Sequence, residues 1–162
     1  MKRVFLLTGS NLGDSLSLLK QAEMAIGEGV GAIVQKSNIY RSGSWGYSSS
    51  RVYYNQCIEI GTELNPNIIL KKILKIEKEM GRVRTGDRFS DREIDIDILL
   101  FGEKAINNKD LIIPHPRLHL RKFALVPLNE IAGEFVHPIL NMTVRELLNN
   151  CEDDSIVSIE GF

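Results

Sequence analysis

An alternation of apolar and acidic residues in the second half of the sequence constrains the fold more than any other feature. Residues 94–101 read Ile-Asp-Ile-Asp-Ile-Leu-Leu-Phe. Because successive side chains of a β-strand point to opposite faces, the isoleucines lie on one face and Asp95 and Asp97 on the other, about 7 Å apart at their Cα atoms. Two ionised carboxylates cannot be buried without a compensating partner. The segment therefore predicts a strand that presents two carboxylates on a single face.

The remaining patterns predict one α+β domain over residues 1–162. The main predicted elements are a strand at 4–7, a helix capped by Asp14 or Ser15 and stopped by Gly27, Gly29 and Gly31, strands at 33–40 and 53–64, a helix opened by Pro66 and ended by Gly81, and the strand at 94–101. A short hairpin up to residue 113 and two short helices near 123–131 and 143–151 complete the chain. This order matches a ferredoxin-like βαββαβ core, in which helices flank an antiparallel sheet.

Composition argues against several classes of partner. The chain carries 20 basic and 21 acidic side chains, a net charge of −1, whereas proteins that bind nucleic acid or an anionic membrane usually carry a basic surplus. Cys57 and Cys151 form no CxxC motif and are expected to be reduced and packed. No apolar run suits a signal peptide or a membrane span. We expect a cytoplasmic protein that binds neither nucleic acid nor membrane; a monomer is favoured, and protein partners are not predicted.

Arginines are concentrated just before the acidic strand, at positions 82, 84, 88 and 92. Guanidinium groups bind phosphate through paired hydrogen bonds, and Mg²⁺ prefers carboxylate oxygens while leaving positions for substrate phosphates. The pattern therefore fits a metal and phosphate site. It fits equally an exposed acidic pair beside a solvated arginine loop. The sequence contains neither a Walker A motif nor a protein-kinase glycine loop.

Further motifs occur in a consistent order along nearly the whole chain. They are Gly-Ser-Asn-Leu-Gly at 9–13, Ser-x-x-Tyr-Arg-Ser at 37–42, Tyr-Asn at 54–55, Gly-Arg-Val-Arg at 81–84, Arg-x-x-Asp-Ile-Asp-Ile-Leu-Leu-Phe-Gly at 92–102 and Pro-His-Pro-Arg-Leu at 114–118. Together they resemble the 6-hydroxymethyl-7,8-dihydropterin pyrophosphokinase family of folate biosynthesis. The resemblance implies transfer of pyrophosphate from ATP to the hydroxymethyl group of the reduced pterin, with release of AMP.

The resemblance also implies roles for individual residues. Asp95 and Asp97 hold two Mg²⁺ ions along the triphosphate, and Arg82 and Arg92 are the catalytic arginines. The implied nucleotide contacts are Glu77, Arg84, Arg88, Ile98, His115 and Arg121. The implied pterin-site residues are Ser42, Gly43, Trp45, Tyr53, Asn55, Phe89 and Phe123.

Within the implied pterin site, the flat ring stacks between Phe89 and Phe123. The amide of Asn55 can read the donor and acceptor edge of the pterin. Tyr53 is preferred to Tyr54 because it shares a strand face with Asn55.

The chain departs from the family pattern just before the signature arginine. Ser90-Asp91 replaces a Gly-Pro or similar small pair, which predicts a less restricted loop and an added negative charge near the phosphates. Phe89 stands where the family often has Trp. Two other classes are weighed: a different metal-dependent phosphotransferase or nucleotide hydrolase, and a non-catalytic ferredoxin-like nucleic-acid module. The second expects aromatic residues on the sheet face and a basic surface, and Asp95 and Asp97 argue against it.

Overall fold

The structure is a computed structural model that describes residues 1–43, 51–81 and 93–161. Its helices and strands, in chain order, are β1 (Lys2–Ser10), α1 (Ser15–Gly29), β2 (Ala32–Lys36), β3 (Tyr40–Ser42), β4 (Tyr53–Thr62), α2 (Pro66–Glu79), β5 (Asp95–Phe101), β6 (Ile106–Asn107), β7 (Ile112–Ile113), α3 (Lys122–Ala132), α4 (Val144–Asn149) and β8 (Ser158–Ile159). A 3-10 turn at Leu118–Leu120 precedes α3.

The main sheet is antiparallel and has six strands. β1 lies between β5 and β4, and β4 pairs on its other side with both β2 and β3. β8 pairs with the outer edge of β3, while β6 and β7 form a separate hairpin. This sheet, with its flanking helices, confirms the predicted ferredoxin-like α+β fold. No helix within the described ranges is long and apolar enough to cross a bilayer.

The two faces of the sheet bury two separate apolar cores, because neighbouring residues of each strand point in opposite directions. Val4 and Leu6 of β1 belong to the first core, which α1 and α2 cover. Phe5 and Leu7 belong to the second core, which α3 and α4 cover. The face covered by the second core also carries the candidate site.

A β-bulge explains why the two-residue alternation of β5 ends at Leu99. The register between β1 and β5 shifts between Phe5 and Leu6, and Leu99 is the extra residue on β5. Leu99 and Leu100 therefore both pack into the second core. Strand pairing and burial thus continue while the two-residue alternation ends.

Helix boundaries follow the expected capping chemistry. The carboxylate of Asp14 accepts a hydrogen bond from Ser17 N at 3.2 Å at the start of α1, and Pro66 is the first residue of α2. Thr143 and Glu146 form a capping box at the start of α4. These local signals account for the accuracy of the predicted starts.

Two local predictions were wrong. Gly27 does not stop α1, which ends at Gly29; a Cβ at Gly27 would lie 3.3 Å from Cδ1 of Ile33, so the glycine lets the helix pack closely against β2. The predicted strand at 33–40 is two strands. It is interrupted at Asn38, whose backbone N donates to the carboxylate of Glu130 on α3 at 3.0 Å instead of to β4.

Candidate active site

The predicted metal ligands lie at one end of β5, on the face of the sheet that carries the second core. Asp95 and Asp97 are both half-buried and lie opposite Gly9 and Leu7 of β1. Ile96, between them, is buried in the first core. The predicted division of this strand into an apolar face and an acidic face is confirmed.

A buried carboxylate on α2 fixes the backbone between the two aspartates. Glu77 is only 2% exposed, and its Oε2 accepts a hydrogen bond from Ile96 N at 2.8 Å. This contact supplies a partner to a carboxylate that would otherwise be costly to bury, and it ties the edge strand β5 to α2. Glu77 therefore supports the strand that carries Asp95 and Asp97, and its predicted contact with the nucleotide stays a prediction.

A glycine separates the acidic strand from the predicted pterin-reading amide. Gly9 of β1 pairs with Asp95 on one side and with Asn55 of β4 on the other. A Cβ at Gly9 would lie 2.5 Å from Nδ2 of Asn55 and 3.3 Å from Cε1 of Tyr53. Only glycine leaves room for these side chains, and the three paired positions form a row of about 10 Å across the sheet.

The Asn55 side chain is buried and only partly satisfied. It is 3% exposed, and its Nδ2 donates to the carbonyl of Thr8 at 3.3 Å. Within the described part of the chain, its Oδ1 has no hydrogen-bond donor. An unsatisfied buried acceptor costs about 1–3 kcal/mol, so a ligand that supplies an N–H group at this point would complete the site.

The Pro-His-Pro segment is held against the bulge of β5. His115 N donates to the carbonyl of Leu99 at 3.0 Å, and Arg117 N donates to Nδ1 of His115 at 3.1 Å. Because Nδ1 accepts a hydrogen bond, the proton of the neutral imidazole is on Nε2. His115 can therefore present an N–H donor on the side of the ring opposite its backbone contact.

The start of α3 brings together a predicted nucleotide contact and a predicted pterin contact. The guanidinium carbon of Arg121 lies 5.4 Å from the centroid of the Phe123 ring, a distance suited to a cation–π interaction. Arg121 is largely buried, and Phe123 packs against the second core. The two side chains therefore constrain each other's position.

The remaining predicted residues are distributed as follows. Ser42, at the end of β3, pairs with Tyr53 of β4, and Gly43 follows it. Tyr54 packs against the first core, on the face opposite Asn55, as the preference for Tyr53 requires. Ile98 is buried in the first core, and its nucleotide contact stays a prediction. The predicted site residues that lie outside the described residues are Trp45, Arg82, Arg84, Arg88, Phe89 and Arg92. The Ser90-Asp91 pair, which departs from the family pattern, also lies outside them.

The cysteines take no part in the site. Both are free thiols, and Cys57 is fully buried in the second core, as expected from the sequence. Burial, with the nearby charges of Glu59 and Glu130, raises the pKa of the Cys57 thiol. The thiol is therefore protonated at neutral pH and unsuited to nucleophilic catalysis.

Sequence reasoning missed two contacts that shape the site. Asp153, near the C-terminus, accepts a hydrogen bond from Lys122 N at the start of α3, with 3.0 Å between Oδ2 and N. Tyr40 donates from its hydroxyl to Glu130 at 2.6 Å. Both pairs join positions far apart in sequence, and no local pattern marks them.

Among the described residues, no group of three or more His, Cys, Asp and Glu side chains converges as a metal site. Asp95 and Asp97 are nevertheless hard oxygen donors on one face, and Mg²⁺ commonly binds through one or two carboxylates together with substrate phosphates. The pair therefore suits an ion that arrives with a nucleotide better than one held by protein ligands alone.

Comparison with known proteins identifies the family. The family model described as 7,8-dihydro-6-hydroxymethylpterin-pyrophosphokinase (HPPK) matches residues 5–133. The 2-amino-4-hydroxy-6-hydroxymethyldihydropteridine pyrophosphokinase of Aquifex aeolicus is 38% identical over 146 residues, which cover 90% of each chain. The protein of the same name from Methylorubrum extorquens is 37% identical over 162 residues, 99% of this chain and 100% of that one.

Some relatives are much longer. The folic acid synthesis protein fol1 of Pneumocystis carinii is 35% identical over 98% of this chain, which spans only 21% of that protein. The crystal structure of wild-type HPPK-DHPS from Plasmodium falciparum superposes with a TM-score of 0.71 at 20% identity, over 92% of this chain and 43% of that one. At that identity the superposition shows the fold alone. The family match and the full-length relatives together show that this chain belongs to the 7,8-dihydro-6-hydroxymethylpterin-pyrophosphokinase family.

Proposed function

We propose that this chain transfers the pyrophosphoryl group of ATP to the hydroxymethyl group of 6-hydroxymethyl-7,8-dihydropterin, in folate biosynthesis, with two Mg²⁺ ions. Family membership supports the reaction class. The observation that carries the proposal is the row of Asp95, Gly9 and Asn55 across three strands, because a carboxylate proposed as a metal ligand and an unsatisfied amide lie on one face at the scale of a small ligand. A monomeric, cytoplasmic enzyme without nucleic-acid or membrane partners is part of the same proposal.

The acidic side of the row suits the triphosphate. Asp95 and Asp97 supply carboxylate oxygens of the kind that Mg²⁺ prefers, and Glu77 holds the strand between them. When bound, the ions neutralise phosphate charge and orient the reacting phosphorus. The chain's own contribution here is a fixed strand that sets the positions of both carboxylates.

The amide side of the row suits the pterin. Asn55 offers a buried acceptor that an N–H group of the pterin can satisfy. The ring of Phe123 offers a flat apolar surface for stacking, with Phe89 expected on the other side. Ser42, Gly43, Trp45 and Tyr53 are proposed to surround the remaining edge.

Hydrogen-bond donors and cationic side chains are proposed to bind the phosphates and stabilise their charge. His115 presents Nε2–H, and Arg121 lies beside the proposed pterin platform. Arg82 and Arg92 are proposed to stabilise charge on the transferred group, with Arg84 and Arg88 on the nucleotide. The hydroxymethyl oxygen bonds to the β-phosphorus and its proton is released to solvent, while the bond from that phosphorus to the oxygen bridging to the α-phosphate breaks and AMP leaves. Such transfer depends on positioning and electrostatics more than on a strong base.

The proposal is tested by incubating the protein with MgATP, with and without the hydroxymethyl dihydropterin, and measuring AMP and pterin pyrophosphate. We expect AMP to form only when the pterin is present, in equal amount to the pterin product. An Asp97→Asn variant serves as the control for contaminating kinases. AMP or ADP formed without pterin would indicate a nucleotide hydrolase, and no pterin-dependent AMP would contradict the proposal.

A further inference from the structure

The last described residues cross from the start of α3 to the edge of β3. We call residues 152–161 the C-terminal strap. It carries four acidic residues and no basic one, and it lies beyond residue 133, where the match to the family model ends. Its contacts are with two segments that hold proposed substrate residues, although none of its own residues was predicted to belong to the site.

The first anchor of the strap is Asp153. Its Oδ2 accepts a hydrogen bond from Lys122 N at 3.0 Å, and its Oδ1 accepts from Ser155 N at 3.0 Å and from the Ser155 hydroxyl. The first N–H groups of a helix lack partners within the helix, and Arg121, the residue at the cap position of α3, supplies no side-chain cap. Asp153 therefore caps α3 from the far end of the chain.

The charge of Asp153 suits this position. Burial acts to raise the pKa of its carboxyl, but the hydrogen bonds from Ser155 and from Lys122 N, with the charge of Lys122, outweigh burial and hold the pKa below its ordinary value. The carboxylate is therefore ionised at neutral pH, and a negative charge at a helix N-terminus is favourable.

The second anchor of the strap is β8. Ile159 pairs with Tyr40 and Ser158 with Arg41, Glu160 N donates to the carbonyl of Ile39 at 2.8 Å, and the Arg41 guanidinium lies 3.5 Å from the Glu160 carboxylate. β3 ends at Ser42, and Gly43 follows it. The strap therefore ties the start of α3 to the strand that enters the proposed pterin loop.

The far end of α3 already has its own attachment to β3. Glu130, near the C-terminus of the helix, accepts the hydrogen bond from the Tyr40 hydroxyl. With Asp153 at the other end, α3 is held relative to β3 at both ends. The end that Asp153 fixes is the one that carries Arg121 and Phe123.

We propose that Asp153 is a positioning residue for pyrophosphoryl transfer, acting through the first turn of α3 to hold Arg121 and Phe123 in register with β3. The inference rests on the proposed function, because it assigns substrate contacts to Arg121 and Phe123. Asp153 itself touches neither substrate; it fixes the backbone from which they extend.

The test compares Asp153→Ala with a matched loss of a helix cap elsewhere. Thr143→Val removes the hydroxyl that accepts from Glu146 N at 3.1 Å at the start of α4. Each variant is assayed at a temperature where melting shows it to be folded. We expect Asp153→Ala to raise the pterin KM and to lower kcat/KM about tenfold, within the range for displaced substrate contacts, and Thr143→Val to leave both constants unchanged. Asp153→Asn keeps an acceptor oxygen and should recover most of the loss.

Unchanged kinetic constants in folded Asp153→Ala, whatever its melting temperature, would overturn the inference, because Asp153 would then be only a structural cap. Should Asp153→Ala not fold, Ser155→Ala removes one donor from the same carboxylate and should raise the pterin KM by a smaller factor. Wild-type protein without pterin-dependent AMP would instead contradict the proposed function, and so the two failures are distinguishable.

Discussion

Two polar clusters lie on the same face of β1 and β4, at opposite ends, and they differ in how far their hydrogen bonds are completed. At one end Glu59 is buried and accepts from Arg3 Nε and from Gln35 Nε2, both at 2.6 Å. At the other end Asn55 is equally buried, but its Oδ1 has no donor within the described residues. The apolar second core separates the two clusters.

This difference supports the proposal that the Asn55 cluster binds a ligand and that the Glu59 cluster is structural. The Glu59 cluster is closed, since the Arg3 guanidinium also packs 5.3 Å from the Phe5 ring centroid and 5.4 Å from that of Phe135. The Asn55 cluster is open, because the Oδ1 acceptor of Asn55 lacks a donor within the described residues. Buried polar groups are normally satisfied, so the incomplete cluster is the one expected to receive a ligand.

The largest expected effect comes from the acidic strand at the open end. Asp97→Asn should lower kcat/KM by at least ~10³-fold, since metal-bound charge stabilisation is worth several kcal/mol. The fold should persist, because Asp97 is half-buried and lies outside both cores. Pterin-dependent AMP formation measures the loss of kcat/KM, and thermal melting shows whether the fold persists. A wild-type rate in this variant would remove Asp97 from the metal site.

Substitution of Asn55 should also impair function without unfolding the protein, but by a smaller factor. Asn55→Ala should weaken pterin binding about 10–100-fold, from the loss of 1–3 kcal/mol of paired hydrogen bonding. Its melting temperature should change little, because the variant also removes an unsatisfied acceptor. Calorimetric titration of the pterin in the presence of a non-hydrolysable ATP analogue measures the affinity. Unchanged pterin affinity would mean that Asn55 does not contact the substrate.

In contrast to Asn55, substitution of Glu59 should lower stability and leave activity nearly unchanged. Glu59→Gln weakens charge-assisted hydrogen bonds and should lower the free energy of unfolding by about 1–2 kcal/mol. Its kcat/KM should stay within about twofold of wild type at a temperature where it is folded, a change within the ±0.5 kcal/mol of a residue remote from the site. Urea unfolding measures the free energy of unfolding. A large loss of kcat/KM in the folded variant would show that the two clusters are coupled.

The smallest effect is expected at a second closed site, in the loop after α3. His137 Nδ1 accepts from Ile139 N at 3.2 Å and from Leu140 N at 3.0 Å. Burial, with the charge of nearby His119, lowers the pKa of His137, so the ring is neutral in the folded protein. Unfolding then takes up a proton, and stability should fall as the pH drops below the unfolded pKa of about 6.5.

The control for this pH dependence is His137→Asn, which keeps an acceptor near the position of Nδ1 and does not titrate. Between pH 7 and pH 5 the melting temperature of wild type should fall further than that of the variant. Parallel curves would show that His137 does not contribute to the acid sensitivity.

The elements that the sequence predicts well are those with local signals. The helix starts at Asp14 and Pro66 carry capping chemistry, and the alternation at Asp95 and Asp97 indicates a strand directly. The split of the 33–40 strand depends on Glu130, which lies 92 residues from Asn38. Periodicity cannot indicate such a contact, because the local sequence around either residue carries no information about its distant partner.

The candidate site shows the same limit. Strand alternation predicts Asp95 as a candidate, motif resemblance implies Asn55 and Phe123, and strand register places Asp95 and Asn55 on either side of Gly9. The support that holds them was not predicted: Glu77 on the β5 backbone and Asp153 on the first turn of α3. Both are hydrogen bonds between a side chain and the backbone of a distant segment. The presence of a charged residue in the sequence does not indicate which backbone group it will bind.

The contrast between the open and closed ends of the sheet is tested most directly by paramagnetic broadening. The backbone amides of Gly9 and Gly61 lie at opposite ends of β1 and β4, since Gly61 pairs with Arg3. A complex of Mn²⁺ with a non-hydrolysable ATP analogue should broaden the Gly9 amide resonance much more strongly than that of Gly61. Equal broadening of both resonances, or broadening of Gly61 alone, would contradict the assignment of the Asp95 end as the metal and substrate site.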